Sequence, residues 1–254
     1  MSLKAKLKNK ELTVGTWISL AHPAIAEIMV KAGFDWVVVD LEHSVITLRE
    51  AEEMIRVIDL GGSVPLVRLS TNDPVQAKRV MDAGAHGIIV PMINSKEDVA
   101  KAVASIHYPD KGVRGVGLAR AQGYGTKFHE YAAWLEKEAV VIIQIEHVEA
   151  VKNIKEILSC DDVDGYIIGP YDLSASMGLA GQFDHPDVVA ALKNIREAGD
   201  AAKIPGGLHI VEPNPEELKS RIDEGFVFLA YSVDERMLDV SCRAGIKIRD
   251  LTIN

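Results

Sequence analysis

Residues 35–44, Asp35-Trp36-Val37-Val38-Val39-Asp40-Leu41-Glu42-His43-Ser44 (DWVVVDLEHS), decide the fold. The run Trp36–Val39 is apolar without alternation, the pattern of a strand buried on both faces of a parallel sheet. A strand that merely ended would be expected to run into Gly, Asn or Pro. This one delivers Asp40, Glu42 and His43 within four residues.

The same pattern recurs along the chain. Short β-rich runs lie near 13–18, 36–40, 64–69, 87–91, 139–145, 165–168, 206–210 and 226–231. Between them, residues 24–33, 49–60, 74–84, 96–106, 148–158, 186–202 and 215–225 place apolar side chains at i, i+3, i+4 spacing, the helical signature. Several of these helices run into glycine, at Gly33, Gly84 and Gly225, which suits a left-handed C-cap. Eight continuous apolar strands with intervening helices predict an α/β fold, a closed (β/α)8 TIM barrel, as one domain over residues 1–254. The longest irregular stretch, 107–128, is rich in Gly and basic residues, and loops of that length are usually functional or mobile.

Composition narrows the function classes. The 254 residues carry a net charge of −9 and no Lys/Arg run, which argues against a nucleic-acid partner. Cys160 and Cys242 stand alone, with no CxxC or His-spaced cluster, so neither a disulfide framework nor a zinc knuckle is expected. No apolar run approaches a membrane span and no signal-like segment opens the chain, so a cytoplasmic protein with no membrane partner is expected.

A parallel barrel keeps its chemistry at the C-terminal ends of its strands. The residues there are Trp17, then Asp40, Glu42 and His43, then Arg68, then Gln144 and Glu146, then Tyr171 and Asp172, then His209, Tyr231 and Ser232. Each has a bland reading. A lone aspartate after a strand is more often a helix cap, which fits Asp172 if a short helix starts at Leu173. Glu146 could pair with Lys152, Arg68 could be a structural ion-pair partner, and His43 alone would more often be a satisfied polar side chain. Six such groups on one rim outweigh these readings taken singly.

Glu146 and Asp172 come from adjacent strands, and two hard oxygen ligands with room for water or substrate suit Mg2+ or Mn2+. Arg68 can neutralise a substrate carboxylate or enolate oxygen with a planar fork. His43 is the natural base, and Asp40, three residues before it, is the obvious group to raise its basicity. No lysine ends a predicted strand, which disfavours Schiff-base chemistry.

The blocks GTW, GFDWVVVDLEHS, PLVR, RVMDAG with IIVP, RG-x-G, QIE and VDGYIIGPYDLSASMG together resemble the HpcH/HpaI family of metal-dependent 2-oxo acid aldolases. The resemblance runs from Gly15 to the last strand; the GFDW-x3-D-x-EH and GP-x-DLS blocks are specific, while RG-x-G alone is weak. It implies a phosphoenolpyruvate/pyruvate-type barrel that reversibly cleaves a 4-hydroxy-2-oxo acid to pyruvate and an aldehyde through a pyruvate enolate. It also implies a divalent cofactor (Mg2+, Mn2+ or Co2+), small-molecule 2-oxo acid and aldehyde substrates, and a homo-oligomer, hexamer or trimer.

Carried onto this chain, the resemblance makes His43 the proton acceptor and Arg68 the stabiliser of the enolate. Glu146 and Asp172 become the metal ligands, and Gln144, Tyr171 through its backbone, and Trp17 become substrate contacts. Asp40 and Glu42 stand behind them in support. Asp82, in the MDAG block, becomes the aspartate that raises the basicity of the histidine across a subunit interface. Tyr171 departs from the small residue usual at that position, which leaves acceptor preference open. Rival readings are a citrate-lyase-β or malyl-CoA-type lyase, a 2-oxo acid decarboxylase or hydratase, and an idle barrel that binds a 2-oxo acid.

Overall fold

Each apolar run of the sequence becomes one strand of a closed parallel barrel whose strands follow sequence order. The computed structural model describes residues 1–253, with side chains described to residue 249. The strands are β1 (Thr13–Ile18), β2 (Trp36–Asp40), β3 (Val64–Arg68), β4 (Gly87–Val90), β5 (Val140–Ile145), β6 (Gly165–Ile168), β7 (Gly206–Ile210) and β8 (Phe228–Val233). Between and around them run α1 (Leu3–Lys8), α2 (Pro23–Ala32), α3 (Leu48–Gly61), α4 (Pro74–Ala83), α5 (Lys96–Ile106) and α6 (Phe128–Glu138). The second half contributes α7 (Val148–Lys152), α8 (Ile154–Ile157), α9 (Pro170–Ser176), α10 (Pro186–Ala202), α11 (Pro215–Asp223) and α12 (Asp234–Ile253).

Two apolar layers hold this together, as the pleat of a barrel requires. Trp36, Val38, Leu66, Ile142, Ile167 and Phe228 fill the interior, and Leu3 and Leu7 of α1 join them. Trp36 stacks on Phe228 with ring centroids 4.1 Å apart. The indole has room because residue 15 is glycine: a Cβ there would lie 2.1 Å from the Trp36 ring. The alternate residues, including Val37, Val39, Val67 and Ile88, face outward into the larger core beneath the helices. Apolar area buried at about 25 cal/mol per Å2 is the main force closing both layers.

Several boundaries differ from the sequence expectation. β8 starts at Phe228 and ends at Val233, not 226–231. Phe226 instead turns into the outer core under the Arg196 guanidinium, 4.9 Å from its ring. Gly225 does adopt a φ of 90°, but one residue beyond the cap of α11, at Glu224. The expected helix 148–158 is two, broken at Asn153, whose side-chain amide donates to the Asn94 carbonyl 2.9 Å away. α9 starts at Pro170, not Leu173, so Asp172 lies in its first turn. α1, α6 and α12 were not anticipated.

Stretch 107–128 is anchored. Arg114 is fully buried and donates to Asp82 at 2.6 Å and to the Tyr131 hydroxyl at 2.9 Å. Arg120 reaches Asp59 at 2.5 Å, and the buried Gln122 donates to the Tyr108 hydroxyl at 2.6 Å. Among the described residues, no helix is long and apolar enough to cross a membrane.

Candidate active site

The strand register builds the first part of the site. β2 and β3 pair with Asp40 directly beside Arg68. The guanidinium therefore meets the carboxylate as a fork, Nε donating to Oδ1 at 2.8 Å and the second terminal nitrogen to Oδ2 at 2.6 Å. The main-chain N–H groups of Glu42 and His43 also donate to Oδ1. Burial alone would raise the Asp40 carboxyl, but the Arg68 hydrogen bonds and charge outweigh it and hold it below the usual range. Asp40 thus serves Arg68 and reaches only the backbone of His43; the expectation that it tunes the imidazole is corrected.

Arg68 is nearly enclosed. Its guanidinium lies 4.4 Å over the Trp17 ring, and its remaining terminal nitrogen is 3.2 Å from Glu42 Oε2. The bland reading of Arg68 as an ion-pair partner therefore holds for one edge of the fork. Glu42 sits at the other edge with its carboxyl pushed up to about 7. Burial is the main cause, Arg68 opposes it, and the charges of Glu146, Asp40 and Asp172 add to it. His43 stands at the outer rim, its side chain 64% exposed and Nε2 3.9 Å from Glu42 Oε2, open to whatever docks on the mouth.

Across the mouth, β5 and β6 supply a different arrangement. Glu146 is buried; Oε1 accepts from the Met92 N–H at 2.7 Å, and Oε2 accepts from the Gln144 amide. Met92 holds its N–H there with a φ of 54°, a main-chain contribution that residue types do not announce. Burial pushes the Glu146 carboxyl above its ordinary value; these two donors oppose the rise and the Asp172 charge adds to it. Lys152 pairs with Glu149 at 3.0 Å, so it is not the partner of Glu146.

Asp172 is exposed, and Tyr171 beside it packs edge-on against Phe183 at 4.8 Å. Gly169 lets α9 approach: a Cβ there would lie 2.9 Å from both Cβ and Oε2 of Glu146.

A cavity of about 220 Å3 lies between the two halves, lined among others by Trp17, Asp40, His43, Arg68, Gln144, Tyr171, Asp172 and His209. No lysine lines it. Asp82 is elsewhere in its own chain, on α4 in the helical layer, paired with Arg114.

Three carboxylates, Asp40, Glu42 and Glu146, thus act on one guanidinium, Asp172 adds its charge to Glu42 and Glu146, and among the described residues the β5–β6 pair has no cation of its own. Buried Gln144 also leaves its carbonyl oxygen without a partner. Among the described residues, no three His, Cys, Asp or Glu side chains form a metal cage. Two carboxylates with open positions suit a hard divalent ion that keeps water or ligand oxygens, not closed tetrahedral zinc. Glu146 and Asp172 are the residues that could hold it.

The family described as HpcH/HpaI aldolase/citrate lyase matches residues 13–238. A 4-hydroxy-2-oxo-heptane-1,7-dioate aldolase of Shigella sonnei is 39% identical over 243 residues, covering 93% of this chain and 90% of that protein. An HpcH/HpaI aldolase/citrate lyase family structure from Burkholderia cenocepacia superposes with a TM-score of 0.91 at 30% identity, covering 98% of both chains. The HpcH/HpaI aldolase of Desulfitobacterium hafniense gives 0.89 at 32%, covering 98% of this chain and 96% of that one. With this barrel and this rim, the chain belongs to the HpcH/HpaI aldolase/citrate lyase family of carbon–carbon lyases.

Proposed function

We propose that this protein is a class II pyruvate aldolase, reversibly cleaving a 4-hydroxy-2-oxo acid into pyruvate and an aldehyde. One observation carries the reading: Asp172 lines one cavity with a guanidinium that Asp40 holds in place, and Glu146 joins that lining through its hydrogen bond from Gln144. A divalent ion held by Glu146 and Asp172 would supply fixed positive charge beside the oxygens of a 2-oxo acid.

The chain's own groups account for the rest. Gln144 and the backbone at Tyr171 orient the acid, and Trp17 closes the cavity floor under Arg68. His43 takes the proton from the C4 hydroxyl. The C3–C4 bond then breaks, the C4–O pair forms the aldehyde carbonyl, and the C3 electrons shift toward the C2 oxygen. Arg68 faces the negative charge that develops there until C3 is protonated and pyruvate leaves. Because Asp40 fixes the fork beforehand, no reorganisation is needed as charge appears. Asp82 acts from a second copy, raising the basicity of that neighbour's exposed His43, in a homo-oligomer.

A CoA-dependent lyase on this barrel would need spare cations for the CoA phosphates. Of the four basic residues in the 111–127 loop, Lys111, Arg114 and Arg120 are already paired with Asp162, Asp82 and Asp59. That leaves Lys127, too little for the task.

The test is exchange of the pyruvate methyl protons in D2O, followed by NMR. Exchange should require Mg2+ or Mn2+ and fall about 10^2-fold or more in His43→Ala. Mixing His43→Ala with Asp82→Asn subunits should restore part of the activity, because a mixed pair contains one intact site. Pyruvate binding without exchange under any metal would sink the reading.

A further inference from the structure

The cavity has a second wall. β7, β8 and β1 bring His209, Ser19, Trp17 and, at the mouth, Glu235 to the same space. The His209 ring lies against the Trp17 indole, centroids 5.3 Å apart. Its Nε2 is 3.3 Å from the main-chain oxygen of Ser232. A bulge directs that oxygen inward: β8 sets Tyr231 and Ser232 opposite Thr16 alone, and Ser232 takes a φ of 56°.

A carbonyl oxygen only accepts, so Nε2 carries the proton and Nδ1 is left as a bare lone pair. Burial, then the Arg68 charge, pushes the imidazole down to about 4, so it is neutral at pH 7 and keeps this tautomer. Among the described residues nothing hydrogen-bonds Nδ1, yet it is not one of the sealed polar atoms. The ring lines both this cavity and the adjoining groove beyond Tyr171, so Nδ1 is reachable from the space an aldehyde half would fill.

Apart from the Trp17 indole N–H, which is buried and sealed from solvent, the rest of this wall has the same polarity. Ser19 spends its hydroxyl proton on Asp234 at 2.7 Å and offers only lone pairs. Glu235 adds a carboxylate. Among the described residues Arg68 is the cavity's one arginine, and it is held by Asp40 and Glu42 and, in the aldolase reading, serves the pyruvate half. The adjoining groove of about 490 Å3 beyond Tyr171 contains Lys193, Arg196 and Arg221, but Glu212, Glu217 and Glu224 lie alongside. Arg196 and Arg221 both pair with Glu224, and Lys193 pairs with Glu197. A wall of acceptors with no spare cation selects ligand hydroxyls and repels a ligand carboxylate.

We propose that His209 Nδ1 accepts a hydrogen bond from a hydroxyl on the aldehyde half, and that the natural acceptor is an uncharged hydroxyaldehyde. This rests on the aldolase reading and deepens it. It also separates this chain from relatives named for a heptane-1,7-dioate, whose aldehyde half carries the second carboxylate.

The experiment compares kcat/KM for three aldehydes with pyruvate and Mn2+: glyceraldehyde, 2-methylbutanal (its isostere with both hydroxyls replaced by methyls) and succinic semialdehyde. The full-length protein should favour glyceraldehyde over 2-methylbutanal by about 5- to 50-fold, with succinic semialdehyde last. His209→Leu should bring glyceraldehyde and 2-methylbutanal within about 2-fold, and His209→Asn, which keeps an acceptor oxygen, should retain part of the preference. A merely structural defect lowers all three together and leaves the ratio intact, which would overturn the role of His209. A wild type that prefers succinic semialdehyde overturns the substrate class even if no variant folds. Pyruvate proton exchange, run alongside, separates the two levels. Its absence removes the aldolase reading and this proposal with it; its presence with the wrong aldehyde order removes the proposal alone.

Discussion

The two halves of the barrel mouth solve opposite electrostatic problems. On the β2–β3 side the negative and positive groups come in register, Asp40 beside Arg68, and close on each other through a fork that is nearly dry. On the β5–β6 side Glu146 and Asp172 come from neighbouring strands with donors from Met92 and Gln144 but no cation. One half is organised before anything binds. The other carries repulsion that a bound cation would relieve. The difference teaches that a rim rich in acids is not uniform: what matters is which acids already own a partner.

Removing the partner from the organised half should have the largest effect. Arg68→Ala deletes the group facing the developing charge and strands a buried Asp40. Pyruvate exchange should fall about 10^2–10^3-fold, and urea unfolding should show a loss of about 3–5 kcal/mol, as for other broken buried pairs. Arg68→Lys should rescue little of either, since one ammonium cannot supply both parallel donors. A lysine variant with near-normal exchange would mean that the fork is not what positions the charge.

The organised half was also the more legible in the sequence. The unbroken run Trp36–Val39 gave the buried strand, and a parallel barrel brings strand C-termini to one rim, so Asp40, Arg68, Glu146 and Asp172 could be placed together. The ownership of Asp40 could not, because it depends on the β2–β3 register, and proximity in sequence favoured His43. The Met92 N–H is a main-chain atom presented by an unusual φ, and no residue type signals it. His209 stood visibly near the end of β7, but its tautomer depends on a bulge in β8, whose boundary lay two residues from the expected one. The short α1 did leave a trace, Leu3 and Leu7 at i, i+4 spacing, both buried. At 6 residues it was too brief for its periodicity to mark a helix.

Glu42 lies between the halves and should report on both through pH. Its folded value of about 7 exceeds the unfolded 4.5, so it contributes stability below about pH 4.5 that is lost as pH rises through 7. Asp40, held below its ordinary 3.8, has the opposite sign: its contribution is present above 3.8 and lost as pH falls through its folded value. Metal-free protein should therefore lose stability on the order of 1–3 kcal/mol between pH 5 and 8 from Glu42. Chemical denaturation in EDTA would measure this. Glu42→Gln should flatten the slope, and saturating Mn2+ should shrink it by neutralising Glu146 and Asp172. A slope unchanged by Glu42→Gln would place the titrating group elsewhere.

The smallest change should touch only the unneutralised half. In Gly169→Ala the new Cβ lies 2.9 Å from Cβ and Oε2 of Glu146 and 3.3 Å from the Gln144 amide nitrogen. These contacts are too close for an ordinary packing distance, and Glu146 cannot retreat without losing the Met92 N–H. The carboxylate should shift by a few tenths of an ångström, weakening Mn2+ binding about 10-fold at a stability cost of about 1 kcal/mol. Calorimetric titration with Mn2+ reads the first, and thermal unfolding in EDTA reads the second. The three atoms nearest this methyl all belong to Glu146 and Gln144, so Arg68 should keep its fork and the pH slope set by Glu42 should persist in EDTA. If Gly169→Ala bound Mn2+ like the wild type, Glu146 would not be the residue whose placement sets metal affinity, and the contrast between the two halves would lose its second member.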